Sequence, residues 1–131
     1  MDRIAPLARI IAVAALAAAL VFSASAPSGA RSTPDAPPVV ALSDLPGEAR
    51  EVHALITQGG PFRYSRDGVV FGNREKLLPV QPGGYYHEYT VPTPGTRNRG
   101  ARRIVCGGPA KAPAACWYTD DHYLTVRRIR G

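Results

Sequence analysis

Three kinds of side chain in the second half of the chain could together move protons and hold a phosphate. Glu88 lies in the aromatic stretch 85–90, a series of arginines occupies residues 97–103, and His122 stands near the C-terminus. A carboxylate can accept a proton from a hydroxyl, an imidazole can donate one to a leaving oxygen, and guanidinium groups can stabilise the charge on a phosphate between them. These residue types predict metal-free cleavage of a phosphodiester beside a ribose hydroxyl.

A predicted strand over residues 85–91 would position Glu88. Alternation along a strand puts Glu88 on the face opposite to a set consisting of Tyr85, Tyr89 and Val91. If that set packs against a helix, the Glu88 carboxylate points outward into a cleft. The alternative is an ordinary solvated glutamate.

The arginines and the histidine also have two interpretations. Strand alternation separates Arg102 from Arg103, so only one of them can share a face with Glu88. The alternative is a solvated basic surface that attracts nucleic acid. His122 follows a turn-like segment and is predicted to begin a last strand over residues 123–126; the alternative is a surface histidine. A glutamate base and a histidine acid together predict a bell-shaped dependence of rate on pH.

The rest of the domain is predicted to be one helix followed by strands. Ser43 and Asp44 are candidate helix caps, Pro46 suits the first turn, and glycines at 59 and 60 end the helix. His53 is expected at the edge of the apolar helix face, in a structural role. Strands are predicted at 69–71, 85–91, 103–106, 116–118 and 123–126. A helix followed by an antiparallel sheet predicts the α+β class.

The N-terminus has the pattern of an export signal. Arginines at 3 and 9 flank a short n-region, an unbroken apolar run follows over residues 10–22, and a small-residue cleavage site ends at Ala26. The alternative, a membrane anchor, needs roughly 20 apolar residues. We therefore predict a signal peptide over 1–26, a disordered proline-rich leader over 27–38 and one folded domain over 39–131. We expect the mature protein to be secreted, with no stable membrane association.

Removal of the signal peptide leaves a basic domain. The whole chain has 16 Lys and Arg and 10 Asp and Glu, and residues 1–26 contain two of the former and one of the latter, which leaves 14 against 9, or +5. Such a charge attracts polyanions, although it also serves solubility. The basic segment 127–130 is expected either to raise non-specific RNA affinity or to be solvated.

Two cysteines, Cys106 and Cys116, are expected to form a disulfide in an exported protein. The segment between them is rich in glycine and proline and predicts a turn, so the disulfide would join neighbouring strands. A metal site is not expected, since no C-x-x-C occurs and the three histidines are scattered. No cofactor is predicted.

Beyond these separate features, the order of the motifs resembles a known family. The chain contains GPFRYSRDGVVFGNRE at 60–75, YYHEYTV at 85–91, RNRGARRI at 97–104 and DHY at 121–123. Together these segments closely resemble the secreted bacterial guanyl-specific ribonucleases related to barnase, over nearly all of residues 39–126. The resemblance implies one N-terminal helix packed on a five-stranded antiparallel sheet. The resemblance also implies a disulfide between the two ends of the domain, but this chain has no cysteine at either end, and the Cys106–Cys116 pair would replace it.

The resemblance also implies an activity, namely cleavage of single-stranded RNA on the 3′ side of guanosine through a 2′,3′-cyclic phosphate. It assigns Glu88 as the general base and His122 as the general acid. Arg99 and Arg103 are implied as phosphate ligands, with Arg74 in support. The guanine site is implied for residues 71–75, with Glu75 accepting from the base and backbone N–H groups donating to it. The residues that would contact substrate are Phe71, Asn73, Arg74, Glu75 and Tyr123.

Two other functional hypotheses are compatible with the sequence. One is a non-catalytic, secreted RNA-binding module that retains the fold. The other is a ribonuclease toxin used against competing bacteria, which would require a dedicated acidic inhibitor similar to barstar. In either case we expect a monomer whose main ligand is single-stranded RNA.

Overall fold

A computed structural model describes residues 37–131 as one helix packed on a mixed six-stranded sheet. The helix is α1 (Gly47–Gln58), preceded by a 3-10 turn (Leu42–Asp44). The strands are β1 (Val39–Ala41), β2 (Val69–Val70), β3 (Tyr86–Thr90), β4 (Arg103–Gly107), β5 (Ala115–Thr119) and β6 (Arg127–Arg130). Their order in the sheet is β1-β6-β5-β4-β3-β2. The predicted α+β class is confirmed.

The predicted signal peptide, residues 1–26, and residues 27–36 of the predicted leader lie outside the described residues. Pro37 and Pro38 precede β1, and the carbonyl of Pro38 accepts a hydrogen bond of 2.7 Å from the backbone N–H of Arg128. Within residues 37–131, no helix combines the length and the apolar character needed to cross a membrane.

Helix α1 covers one face of the sheet because its apolar residues follow helical spacing. Ala49, Val52 and Ile56 are buried in a core that also contains Ile104 and Tyr118 from the sheet. The sequence predicted Ser43 and Asp44 as caps of α1. This prediction is wrong, because both residues belong to the preceding 3-10 turn. The N-cap residue is Pro46, and no side chain provides a capping hydrogen bond.

The end of α1 is as predicted. Gly59 adopts a left-handed conformation (φ 83°), and its N–H donates to the carbonyls of Ile56 and Leu55. The N–H of Gly60 also donates to the Leu55 carbonyl, at 2.9 Å. These bonds use carbonyls that the last helical turn would otherwise leave unpaired.

The alternation predicted for β3 is confirmed for most of its residues. Tyr89 and Val91 belong to the core beneath α1. Tyr86 packs on the other face, in a second cluster with Leu78, Val105, Trp117 and Val126. Tyr85, expected on the helix side, also packs against this second cluster because it lies just before the strand begins.

The predicted last strand over 123–126 is wrong. His122 and Tyr123 have φ values of 54° and 71°, which a β-strand does not allow. The last strand is instead β6, formed by the basic segment whose role the sequence left open. It pairs antiparallel with β5 and parallel with β1, so the sheet has six strands rather than five, and one pairing is parallel.

Cys106 and Cys116 form the predicted disulfide. The two residues lie directly opposite each other on β4 and β5. The disulfide therefore joins neighbouring strands, and both of its cysteines belong to the core beneath α1.

Candidate active site

Glu88 is the centre of the candidate site. It lies in the middle of β3, between Val69 of β2 and Val105 of β4. One carboxylate oxygen, Oε1, is 3.5 Å from Nη2 of Arg99, and the other, Oε2, accepts a hydrogen bond of 3.1 Å from the hydroxyl of Tyr123. The Glu88 side chain is only 13% exposed. It is therefore a largely covered carboxylate with fixed partners, not a solvated surface glutamate.

Arg99 is held against β3 by two contacts. Besides approaching Glu88, its Nε donates a hydrogen bond of 2.9 Å to the Thr90 hydroxyl. Thr90 lies two residues beyond Glu88 on the same face of the strand. The guanidinium group therefore has a defined position beside the carboxylate.

Of the two adjacent arginines, Arg103 is the one on the Glu88 face. Only 4% of Arg103 is exposed, and its Nη1 donates to the carbonyls of Gly100 and Arg102, at 3.0 and 2.7 Å. Burial, followed by repulsion from the nearby Arg99, lowers the pKa of Arg103. Two neighbouring guanidinium groups in a covered position favour an anionic ligand.

Tyr123 connects Glu88 with the loop that contains His122. Its ring packs against Phe71, with 4.8 Å between ring centroids, and lies 5.4 Å from the His122 ring. Burial and the adjacent Glu88 carboxylate strongly raise the pKa of Tyr123. The hydroxyl therefore stays protonated and donates to Glu88.

His122 lies in a tight turn, not at the start of a strand. Its N–H donates to the Ala101 carbonyl at 3.0 Å. Asp121 closes the turn by accepting from the Thr125 N–H at 2.9 Å and from the hydroxyls of Thr125 and Thr119 at 2.6 and 2.8 Å. These hydrogen bonds, those from Thr125 first, lower the pKa of Asp121 to about 2. The polar segment 119–121 indicated a turn in the sequence, but not these hydrogen bonds of Asp121 and Thr119.

The segment 71–75 forms a cavity together with the His122 turn. The cavity has a volume of about 280 Å³ and is lined by Phe71, Gly72, Asn73, Arg74, Glu75, Leu77, His122, Tyr123 and Leu124. All the residues predicted to contact substrate line it. Arg74, Glu75 and His122 therefore line the same cavity.

Asn73 has a role that the sequence did not predict. Its side-chain amide makes two hydrogen bonds to the backbone of Leu78, accepting at 3.0 Å and donating at 2.9 Å. The loop also contains two residues with left-handed backbones, Asn73 (φ 49°) and Lys76 (φ 54°). The Asn73 side chain therefore shapes the loop.

No group of three or more His, Cys, Asp and Glu side chains within residues 37–131 is arranged to hold a metal ion. The chemical groups assembled here are instead a carboxylate, an imidazole, a phenol and two guanidinium groups. This set can transfer protons and stabilise a phosphate.

The fold and the site together define a small nuclease, and comparison with known proteins identifies the family. The sequence profile of the ribonuclease family matches residues 28–130. The chain therefore belongs to the ribonuclease family, as its sequence predicted. This membership favours an enzyme over a non-catalytic binding module.

Individual relatives indicate which type of ribonuclease the chain is similar to in sequence and structure. The chain is 57% identical to guanyl-specific ribonuclease Sa of Kitasatospora aureofaciens over 90 residues, which cover 69% of this chain and 91% of that protein. It is 51% identical to guanyl-specific ribonuclease St of Saccharopolyspora erythraea over 88 residues, covering 67% and 83%. The crystal structure of ribonuclease Sa2 with guanosine-2′-cyclophosphate matches with a TM-score of 0.66 and 46% identity, covering 72% of this chain and 97% of that chain.

Proposed function

We propose that this protein is a guanyl-specific endoribonuclease that cleaves single-stranded RNA on the 3′ side of guanosine by acid–base transesterification. The observation that carries the proposal is the Glu88 carboxylate, which is 13% exposed and lies between Arg99 and Tyr123. The similarity to guanyl-specific ribonucleases supports the substrate class.

In the first step, Glu88 accepts the proton of the ribose 2′-hydroxyl, and the 2′-oxygen attacks phosphorus. His122 donates a proton to the departing 5′-oxygen, which leaves a 2′,3′-cyclic phosphate. In the second step the roles reverse: His122 takes a proton from water, the water oxygen attacks phosphorus, and Glu88 returns a proton to the 2′-oxygen. Protons therefore balance over the two steps.

The guanidinium groups stabilise the charge that develops on the phosphate oxygens. Arg99 and Arg103 lie on the Glu88 side, and Arg74 approaches from the cavity with His122. Because Arg103 is buried and held by backbone carbonyls, little reorganisation is needed when the negative charge develops.

Guanine recognition belongs to the cavity formed by residues 71–75. Glu75 would accept from the N–H groups on the Watson–Crick edge of the base, and backbone N–H groups of the loop would donate to the guanine oxygen. Phe71 and Tyr123 provide aromatic surface for stacking. Another base would leave these polar groups unpaired, which is why such a site discriminates.

The dinucleotides GpC, ApC and UpC test this proposal directly. The domain spanning residues 39–131 should cleave GpC to guanosine 2′,3′-cyclic phosphate in the presence of EDTA, and should cleave ApC and UpC far more slowly. Equal rates on all three would disprove the guanine preference. Binding without any cyclic product would disprove the catalytic assignment.

We also propose that the enzyme is a secreted monomer, with cleavage of the signal peptide after Ala26. A basic active-site region further suits a small acidic inhibitor protein, as the toxin hypothesis requires. Mass spectrometry of the exported protein would test the cleavage site, and light scattering would test the monomer.

A further inference from the structure

A second groove lies on the same face of the sheet as Glu88. Pairing across the strands runs from Glu88 to Val105, then to Trp117, and finally to Arg128 of β6. Residues directly opposite each other in a sheet share a face. The groove, of about 440 Å³, is lined at the β6 side by Arg128 and Trp117 and at the β3 end by Tyr85.

The walls of this groove combine aromatic and basic side chains. Tyr85 is partly exposed, and its ring lies directly over the backbone of Gly107, where a Cβ would come within 2.4 Å of the ring. Tyr86 packs edge-on against both Tyr85 and Trp117. These contacts fix the ring of Tyr85 at the edge of the groove.

Two further features indicate the chemistry of an occupant. Arg128 is exposed and contributes a positive charge at the groove, in a domain that is basic as a whole. Trp117 is 6% exposed, and its Nε1–H donor has no hydrogen-bond acceptor among residues 37–131. Aromatic surface beside a guanidinium group, with polar groups nearby, is the combination that binds a nucleobase with its phosphate.

We propose that this groove is an accessory subsite for a nucleotide of single-stranded RNA outside the dinucleotide that is cleaved. Three strand spacings separate Glu88 from Arg128, which is about 14 Å across the sheet. An RNA strand of a few nucleotides spans that distance. The inference rests on the proposed RNA cleavage for its substrate, while the groove itself can be tested by binding alone.

The kinetic test compares GpC with an oligonucleotide that has one guanosine flanked by several uridines on each side. Tyr85→Ala and Arg128→Ala should each lower kcat/KM for the long substrate by about tenfold, because one removes a stacking surface and the other a phosphate contact. Neither should change kcat/KM for GpC more than twofold. Tyr85→Phe, which keeps the ring, should retain the rate on both substrates.

Arg130→Ala is the matched control, because it removes the same charge from the same strand at a residue that does not line the groove. Its effect on the long substrate should be less than twofold. Equal effects of Arg128→Ala and Arg130→Ala would show that overall positive charge, and not a subsite, causes the loss, which would overturn the proposal. Equal losses on GpC and the long substrate in the Tyr85 variant would assign Tyr85 a purely structural role and overturn the proposal.

The binding test uses Trp117, the one tryptophan of the chain. An oligodeoxyuridylate has neither guanine nor a 2′-hydroxyl, so it is not a substrate. Its titration should change the tryptophan emission of the wild type, and Tyr85→Ala should weaken that binding by about tenfold. An unchanged emission would contradict the subsite. Failure of the wild type to cleave GpC would instead refute the proposed function, and the binding test would still be valid.

Discussion

The two faces of the sheet are covered by different kinds of structure, and only one face contains the side chains of the candidate active site. Helix α1 closes one face with apolar side chains such as Ile56 and Ala49, both of which are almost completely buried. The opposite face is covered by loop residues, including Leu78 and Val126, which leave the Glu88 end of the sheet partly open. A regular helix buries a continuous apolar stripe, whereas irregular loops can leave room for a ligand beside fixed charges.

This contrast predicts that the two faces can be damaged separately. Substitutions on the loop-covered face should reduce turnover more than stability. Substitutions on the helix-covered face should do the opposite.

The largest expected effect is that of Glu88→Gln. Glutamine preserves the shape and can still accept from Tyr123, but it cannot take the proton of the 2′-hydroxyl. We expect kcat on GpC to fall by about 10²–10⁴-fold, the usual contribution of a general base. Glu51→Gln, on the exposed side of α1, is the control and should keep full activity. A Glu88 variant that cleaves like the wild type would show that the base is another group.

On the opposite face, Ile56→Ala should lower the free energy of unfolding by about 2–5 kcal/mol, because it creates a cavity in the core beneath α1. Urea denaturation measures this change. Under conditions where the variant remains folded, kcat/KM on GpC should stay within a factor of two of the wild type. A large loss of activity without a loss of stability would contradict the separation of the two faces.

Tyr123→Phe should have a smaller effect on catalysis. It removes the hydroxyl that donates to Glu88 but keeps the ring against Phe71. Loss of one hydrogen bond to a charged group costs about 1.5–3 kcal/mol, which predicts a decrease in kcat/KM of about tenfold or more. Tyr118→Phe is the matched control, since it removes a hydroxyl from a buried tyrosine on the helix side. Equal losses in the two variants would contradict the role of the hydroxyl.

The smallest effect is expected from Asp121→Asn, a loss of stability near neutral pH that should disappear in acid. The pKa of Asp121 is lowered to about 2, so its carboxylate stabilises the folded state above its ordinary pKa near 4. That contribution is lost as pH falls from about 4 to about 2. The urea midpoint of the wild type should therefore decrease more over this interval than that of Asp121→Asn. Parallel pH profiles would show that Asp121 does not hold the His122 turn through its charge.

The sequence predicted the parts of this structure that depend on simple periodicity. Helical spacing located α1, and alternation correctly placed Tyr89 and Val91 under the helix and Glu88 opposite to them. The prediction of a strand after His122 was wrong for a physical reason. Its residues favour a strand, but the side chains of Asp121 and Thr119 capture its backbone N–H groups and fold it into a turn.

The sequence also missed contacts that only the folded chain creates. The amide of Asn73 looked available for a ligand, yet it bonds to the backbone of Leu78. The basic segment at the C-terminus looked like a tail, yet it pairs with both β5 and β1. Pairing between distant segments depends on tertiary context, which local propensity does not contain.

The central claim is that Glu88 and His122 divide the proton transfers at one phosphate. The most direct measurement is the pH dependence of kcat/KM on GpC for the wild type, Glu88→Gln and His122→Ala. The wild type should give a bell-shaped profile, the acidic limb should disappear in the Glu88 variant, and the alkaline limb should disappear in the His122 variant. Both limbs persisting in either variant would contradict the assignment of base and acid.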